Sequence, residues 1–289
     1  MSKVYVIGAT GGIGNQLVKT LLSRGVQTTV LVRDTTKAAG LFGESENLTV
    51  VQGDYDDKEA FENSIVGHER LFILVRDLNN MAAIKRNFAQ TAYAAGVKQV
   101  VDVSSGSVNS PWRQHHIATA HYGGEEAIFN IPNRGSYVAL RPTQFFTNHF
   151  FGDHQTIKFK SAILGSADPN STVPWISPTD IAELAANVLT EPIEKHGDIV
   201  YHMTSEVLSG NQRAEILSKV LGKDIKYVQI PIEEHYKALV EHAHFPHSIA
   251  YGFVDISEKD HDVNPALSIV LYRPPQTLEA WLELNKDKF

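Results

Sequence analysis

Apolar positions along the chain follow two alternating rhythms. Short runs without regular polar alternation cover Val4 to Ile7, Gln27 to Val32, Leu48 to Gln52, Leu71 to Val75, Gln99 to Val103 and Tyr137 to Leu140. Rich in β-branched residues, they predict strands covered on both faces. Between them, apolar residues recur three and four apart. From about Ile13 to Arg24 this places Ile13, Leu17, Val18, Leu21 and Leu22 on one side of a helix; from about Asn80 to Ala95 the predicted stripe is Ala83, Ile84, Asn87, Phe88, Thr91 and Ala95, with Gly96 as the stop. Strands alternating with helices predict an α/β fold, a parallel sheet with helices on both faces.

After Arg141-Pro142 the alternation loosens. Residues 145–175 hold aromatic residues, glycines, prolines and histidines without a period, and are expected to form loops and short strands. Beyond them the pattern predicts a helix over 178–189, strands near 199–203 and 225–230, and helices near 211–221, 233–241 and 278–284. A boundary near residue 145 divides the chain into 1–145 and 146–289.

Composition narrows the class. The 289 residues are 43% hydrophobic and 20% charged, enough for a large domain with an appended lobe. There is no cysteine, which excludes disulfides, thiolate nucleophiles and Cys-ligated metals, and suits a reducing compartment. A net charge of −7 without a basic block argues against direct nucleic-acid binding. The first apolar run ends at Gly8, so neither a signal peptide nor a membrane span is expected, and the predicted location is cytoplasmic. The partners expected are a small-molecule substrate or a protein.

Chemistry enters at the end of the first run. Gly8, Gly11 and Gly14 stand three apart between strand and helix, a spacing that lets backbone turn sharply, approach a pyrophosphate and pack the helix on the strand. Helix N–H groups then face the anion. After the second run come Arg33 and Asp34. An acidic residue there suits the ribose hydroxyls of NAD, whereas arginine suits the 2′-phosphate of NADP; Arg33, helped by Lys37, favours NADP with NAD as the alternative. Asp54 is placed either to meet the adenine amino group or to cap the helix beginning near Asp57.

The segments GATGGIG, LVRD, VQGDYDD, VSSGS, LRPTQFF and WISPTDIAELAANVL, in this order, with the tail YRPPQTLEAWLELN, resemble the NmrA-like branch of the atypical short-chain dehydrogenase superfamily over nearly the whole chain. The resemblance implies a Rossmann-type doubly wound parallel sheet with a smaller α+β C-terminal lobe. Residues 1–145 would bind NAD(P), and 146–289 would form the substrate lobe, with a strand and helices free to return to the first domain. The implied cofactor is NADP(H), and the implied cofactor residues are Gly8, Thr10, Gly11, Gly12, Ile13, Gly14, Arg33, Lys37, Asp54, Val75, Ser104 and Pro142. Such families hold NADPH-dependent reductases of quinones, enones, imines and benzylic ethers. They also hold redox sensors that bind NADP(H) without turning it over and act through protein partners.

One departure matters. Short-chain dehydrogenases use Tyr-x-x-x-Lys, and no tyrosine here has a lysine four residues later; Tyr122 is followed by Glu126. That disfavours simple alcohols and ketones, and an isomerase or epimerase would want the same pair. Hydride transfer to a quinone, enone or similar small apolar acceptor needs less help from the protein. The proton is expected from Tyr122, His121, His115 or His116, with Ser104 or Ser105 orienting substrate, unless those serines only bond backbone at the strand end. Phe145, Phe146 and Trp175 are expected either to line an aromatic site or to be core. No metal is expected: His242, His244 and His247 are not spaced as ligands on one helix face, and Pro246 interrupts them.

Overall fold

In the computed structural model, which describes residues 3–254 and 262–289, strand and helix alternate from the start. The order is β1 (Val4–Ile7), α1 (Gly12–Ser23), β2 (Thr28–Val32), α2 (Thr35–Phe42), β3 (Leu48–Gln52), α3 (Lys58–Ile65), β4 (Arg70–Ile73), α4 (Met81–Ala94), β5 (Gln99–Val103), α5 (His116–Phe129) and β6 (Ser136–Pro142). Then follow β7 (Gln144–Phe145), α6 (His154–Lys160), β8 (Ala162–Gly165), β9 (Thr172–Ile176), α7 (Pro178–Thr190), α8 (Ile193–His196) and β10 (Val200–Met203). The chain ends with β11 (Glu206–Ser209), α9 (Gly210–Leu221), β12 (Lys226–Gln229), α10 (Ile232–Glu241), α11 (His247–Val254), α12 (Leu267–Leu271) and α13 (Leu278–Glu283).

The described chain divides into two compact units. The first takes Met1–Asn109, Ile117–Pro142 and Thr179–His202; the second takes Ser110–His116, Thr143–Pro178 and Met203–Phe289. Thus α7 and α8 belong with the first unit although they follow residue 145.

The first unit holds a sheet of order β10-β6-β5-β4-β1-β2-β3, in which β1 through β6 pair in parallel. Chain order reverses between β1 and β4, and in such sheets the crevice beyond the strands' carboxyl ends at that point is where ligands bind. The uninterrupted apolar runs have their expected cause, since β1, β2, β4 and β5 are buried at every residue. The edge strands β3 and β10 are partly exposed. Arg70 in β4 is 5% exposed and donates to the Gln99 side chain and to the Val188 and Glu191 carbonyls, which ties the end of α7 to the sheet.

On α4 the buried face is Met81, Lys85, Phe88, Ala89 and Ala92. It is rotated from the stripe expected at Ala83, Ile84, Asn87 and Thr91. A buried lysine counts as polar in any periodicity, and so shifts the apparent phase of the helix.

The second unit has its own core, formed by Phe146, Ile157, Ile163, Trp175, Leu208, Leu217, Trp281 and their neighbours. It carries a three-stranded sheet, β11-β9-β7, and a parallel pair of β8 with β12. The stretch 145–175 is more regular than its sequence suggests, with a π-helical turn at His149–Asp153 running into α6. Phe146 is fully buried against Trp281, and Trp175 is stacked on His149 with Arg213 over its ring, so both are core. No helix among the described residues is long and apolar enough to cross a membrane.

Candidate cofactor and proton-transfer site

Every residue expected to bind cofactor lies in the first unit, and Gly8, Arg33, Asp54, Val75, Ser104 and Pro142 follow or end β1 to β6 in turn. Gly8 has φ +87°, a left-handed conformation, and a Cβ there would stand 2.6 Å from the Leu74 carbonyl oxygen. A Cβ on Gly14 would collide with the Gly8 carbonyl and sit 2.9 Å from Ala9 Cα, so this glycine lets α1 close onto β1. Gly11 differs: its Cβ would meet nothing nearer than the Gly8 oxygen at 3.6 Å, and Gly12 faces open space. Packing demands Gly8 and Gly14, whereas Gly11 and Gly12 leave open space beside the loop.

Helix α1 starts at Gly12 with Gly11 as its N-cap, without a side-chain cap and without an acidic residue in its first turn. Its first N–H groups, those of Gly12, Ile13 and Gly14, are therefore a ready anion site. Thr10 is half-buried beside them. The loop fits a pyrophosphate.

At the end of β2 the two charged neighbours have separate tasks. The Asp34 carboxylate caps α2, accepting from the Lys37 N–H at 2.9 Å. The Arg33 side chain is 79% exposed, and its nearest carboxylate oxygen, on Asp54, is 3.9 Å away. An acid held in a cap competes poorly for ribose hydroxyls, whereas an exposed guanidinium suits a phosphate. Lys37 is exposed on the same first turn. Asp54 does not cap α3; Asp57 does, accepting from the Ala60 N–H at 3.1 Å. Val75 is buried at 4% exposure, and Pro142 is buried at the end of β6. The residues present thus fit a dinucleotide carrying a 2′-phosphate.

Beyond β5, the Ser104 hydroxyl is buried without a partner, while Ser105 and Ser107 share a 2.8 Å hydrogen bond in a short turn. Tyr122 on α5 is half-exposed, and His121 beside it is largely buried with an unpartnered Nδ1. Burial, and after it the Lys85 ammonium, push His121 down to about 3, so it is a neutral imidazole at physiological pH. One turn further, Glu125 grips Arg141 of β6 through two hydrogen bonds of 2.9 and 2.6 Å. His116 opens α5, and His115 precedes it in the second unit.

Two features escape reading by motif. Lys85 and Asp102, both wholly buried, form an ion pair at 2.8 Å, to which Tyr137 donates. The sequence signal is an aspartate in the middle of the apolar run QVVDV, with no hint of its partner. The Asn15 Oδ1 in α1 is likewise buried and unpartnered. Among the described residues no group of three histidines or carboxylates could hold a metal ion; His247 instead meets the Tyr236 hydroxyl at 2.8 Å.

Known proteins resemble this chain in sequence or in fold. A (4-alkanoyl-5-oxo-2,5-dihydrofuran-3-yl)methyl phosphate reductase of Streptomyces griseus is 24% identical over 294 residues, covering 99% of each chain. An NADPH-dependent quinone oxidoreductase from Escherichia coli, crystallised with NADPH, aligns with a TM-score of 0.80 at 23% identity, over 98% of this chain and 99% of that one. NmrA, a negative transcriptional regulator crystallised with NAD, aligns at 0.75 with 17% identity, over 98% and 94%. At such identities the two structures establish a shared fold. The NmrA-like family pattern spans residues 1–282, and the chain belongs to the NmrA-like family.

Proposed function

We propose that this protein is an NADPH-dependent oxidoreductase that reduces a small apolar acceptor such as a quinone or enone. The observation that carries the reading is the end of β2, where Asp34 is occupied as a helix cap and Arg33 is left exposed beside the glycine loop's strand. The names of the relatives, a phosphate-ester butenolide reductase and a quinone oxidoreductase, support reduction.

When bound, the dinucleotide supplies the hydride, and the rest falls to this chain's residues. The glycine loop and the first turn of α1 hold the pyrophosphate. Arg33 and Lys37 hold the 2′-phosphate. Tyr122 gives the acceptor its proton.

Arg33→Ala should weaken NADPH binding by about tenfold or more and leave NADH nearly unchanged, measured by titration of cofactor fluorescence. Equal losses for both cofactors would remove the 2′-phosphate role. Activity is tested by NADPH oxidation against a panel of quinones and enones. Turnover should vanish in Gly11→Val and fall by about 10²–10⁴ in Tyr122→Phe.

A second reading is a non-catalytic NADP(H) sensor acting through a protein partner. It is favoured by the absence of a lysine four residues after Tyr122 and by the likeness to a transcriptional regulator crystallised with NAD. Tight cofactor binding without turnover across the panel would decide for it.

A further inference from the structure

The tetrapeptide Leu-Val-Arg-Asp occurs twice in the chain, at 31–34 and at 74–77. The first copy ends β2 and the second directly follows β4, and these are the two strands that flank β1. Ile7, the last residue of β1, pairs with Leu31 on one side and Ile73 on the other. Arg33 and Arg76 therefore stand two and three residues beyond its level, one on each side of the glycine loop. Leu74 of the second copy lies against the loop itself. It donates its N–H to the Ile7 carbonyl at 3.1 Å, and its own carbonyl is the group that a Cβ on Gly8 would meet.

In both copies the aspartate is spent on backbone. Asp34 caps α2, and Asp77 accepts the N–H groups of Asn79 and Asn80, each at 3.0 Å, together with the Asn80 side-chain amide at 2.9 Å. In both copies the arginine is left over. Arg76 is exposed, and among the described residues no carboxylate stands at ion-pair distance from it. The cations beside the ends of β5 and β6 are closed, Lys85 by Asp102 and Arg141 by Glu125. Tyr55, beyond β3 and edge-on to Phe88, stands by both free arginines: burial raises its pKa, and the Arg76 N–H and the charges of Arg33 and Arg76 act against that rise.

Charge decides what a second arginine is for. A dinucleotide pyrophosphate carries two negative charges. The loop GATGGIG contains no charged side chain, α1 has no basic residue before Lys19, and a helix N-terminus supplies the equivalent of only about half a positive charge. Arg33 and Lys37 are assigned to the 2′-phosphate, which leaves the pyrophosphate short of a cation. We propose that Arg76 holds the pyrophosphate from the β4 side of the glycine loop, so that the two copies of the tetrapeptide divide the phosphates of the cofactor between them. The inference rests on the dinucleotide-binding reading and deepens it. The guanidinium fork donates charge-assisted hydrogen bonds to phosphate oxygens that NADH and NADPH present alike.

The test is titration of cofactor fluorescence with NADPH and NADH, and calorimetric titration with ADP, on the full chain and on its Arg76→Ala, Arg76→Gln and Arg33→Ala variants. Both Arg76 variants should melt as the wild type does and weaken NADPH, NADH and ADP by about tenfold or more, to the same extent for all three, whereas Arg33→Ala weakens NADPH alone. Adding Arg33→Ala to Arg76→Ala should leave NADH where Arg76→Ala alone leaves it. A loss confined to NADPH would make Arg76 a second 2′-phosphate residue and overturn the proposal. So would NADH binding in either folded Arg76 variant as tight as in the wild type, because the charge would then have no part in it. A wild type that bound neither dinucleotide would sink the dinucleotide reading itself; a wild type that bound both, with the Arg76 variants unchanged, would sink this inference alone.

Discussion

Gly14→Ala will unfold or loosen the first unit, while Gly11→Ala will leave its stability unchanged. The two glycines look equivalent in the sequence and belong to one motif. At Gly14 the added carbon meets the Gly8 carbonyl and Ala9 Cα, which are backbone atoms that no rotamer change can move aside. Overpacking of this kind costs about 1–3 kcal/mol and here stands at the upper end, equivalent to a fall in Tm of roughly 5–10 °C. At Gly11 the backbone is ordinary extended chain, φ −83° and ψ 174°, and the added carbon meets only the Gly8 oxygen at van der Waals distance. Gly11→Val should therefore melt as the wild type does and yet bind neither NADPH nor NADH, because the isopropyl group fills the space beside the first turn of α1. Calorimetry and cofactor titration of both variants check this. A Gly11→Val protein that bound dinucleotide tightly would show that the loop is a packing turn and the ligand lies elsewhere.

Acid will destabilise the protein well before its carboxylates titrate. Burial is the first cause that lowers the pKa of His68, His121, His149, His196, His202 and His235. The unfolded chain binds a proton at each near pH 6.5, and the folded chain binds it only at lower pH. Stability therefore falls as pH drops below about 6.5, and continues to fall until each folded pKa is passed. For His121, at about 3 in the fold, the loss at pH 5 is about 2 kcal/mol. Asp102 and Glu206, raised by burial, act in the opposite direction as they take protons. Denaturant unfolding at pH 7.5, 6 and 5 should show a steep loss, and His121→Gln should flatten it by about 2 kcal/mol between pH 7.5 and 5. A variant with the wild-type slope would place the neutral histidines elsewhere.

The glycine turn of the candidate cofactor site was legible because it is local. Gly8 to Gly14 lie within seven residues, their spacing follows from strand, turn and helix geometry, and Arg33 stands where β2 ends. Which acid does what was not legible: Asp34 and Asp57 are caps and Asp54 is not, a difference of a few ångströms in where each helix begins. The buried ion pair was less legible still. Its lysine comes from α4, its aspartate from β5 and its tyrosine from β6, and no spacing along one chain relates residues 85, 102 and 137.

What the sequence determined by itself is therefore the layer structure and the glycine turn between β1 and α1. Uninterrupted β-branched runs can be buried only in a sheet covered on both faces, and helices between them enforce parallel order. Tertiary structure alone decided the rest. It turned Lys85 inward and so rotated the buried face of α4, because an ammonium can be buried where a carboxylate from another element meets it. It returned α7 and α8 to the first unit, where Arg70 holds the end of α7 through the Val188 carbonyl and the Glu191 carbonyl just beyond it. It made core of Phe146 and Trp175, since an aromatic ring is lining or core only by what packs against it, and here those partners come from residues 149, 213 and 281.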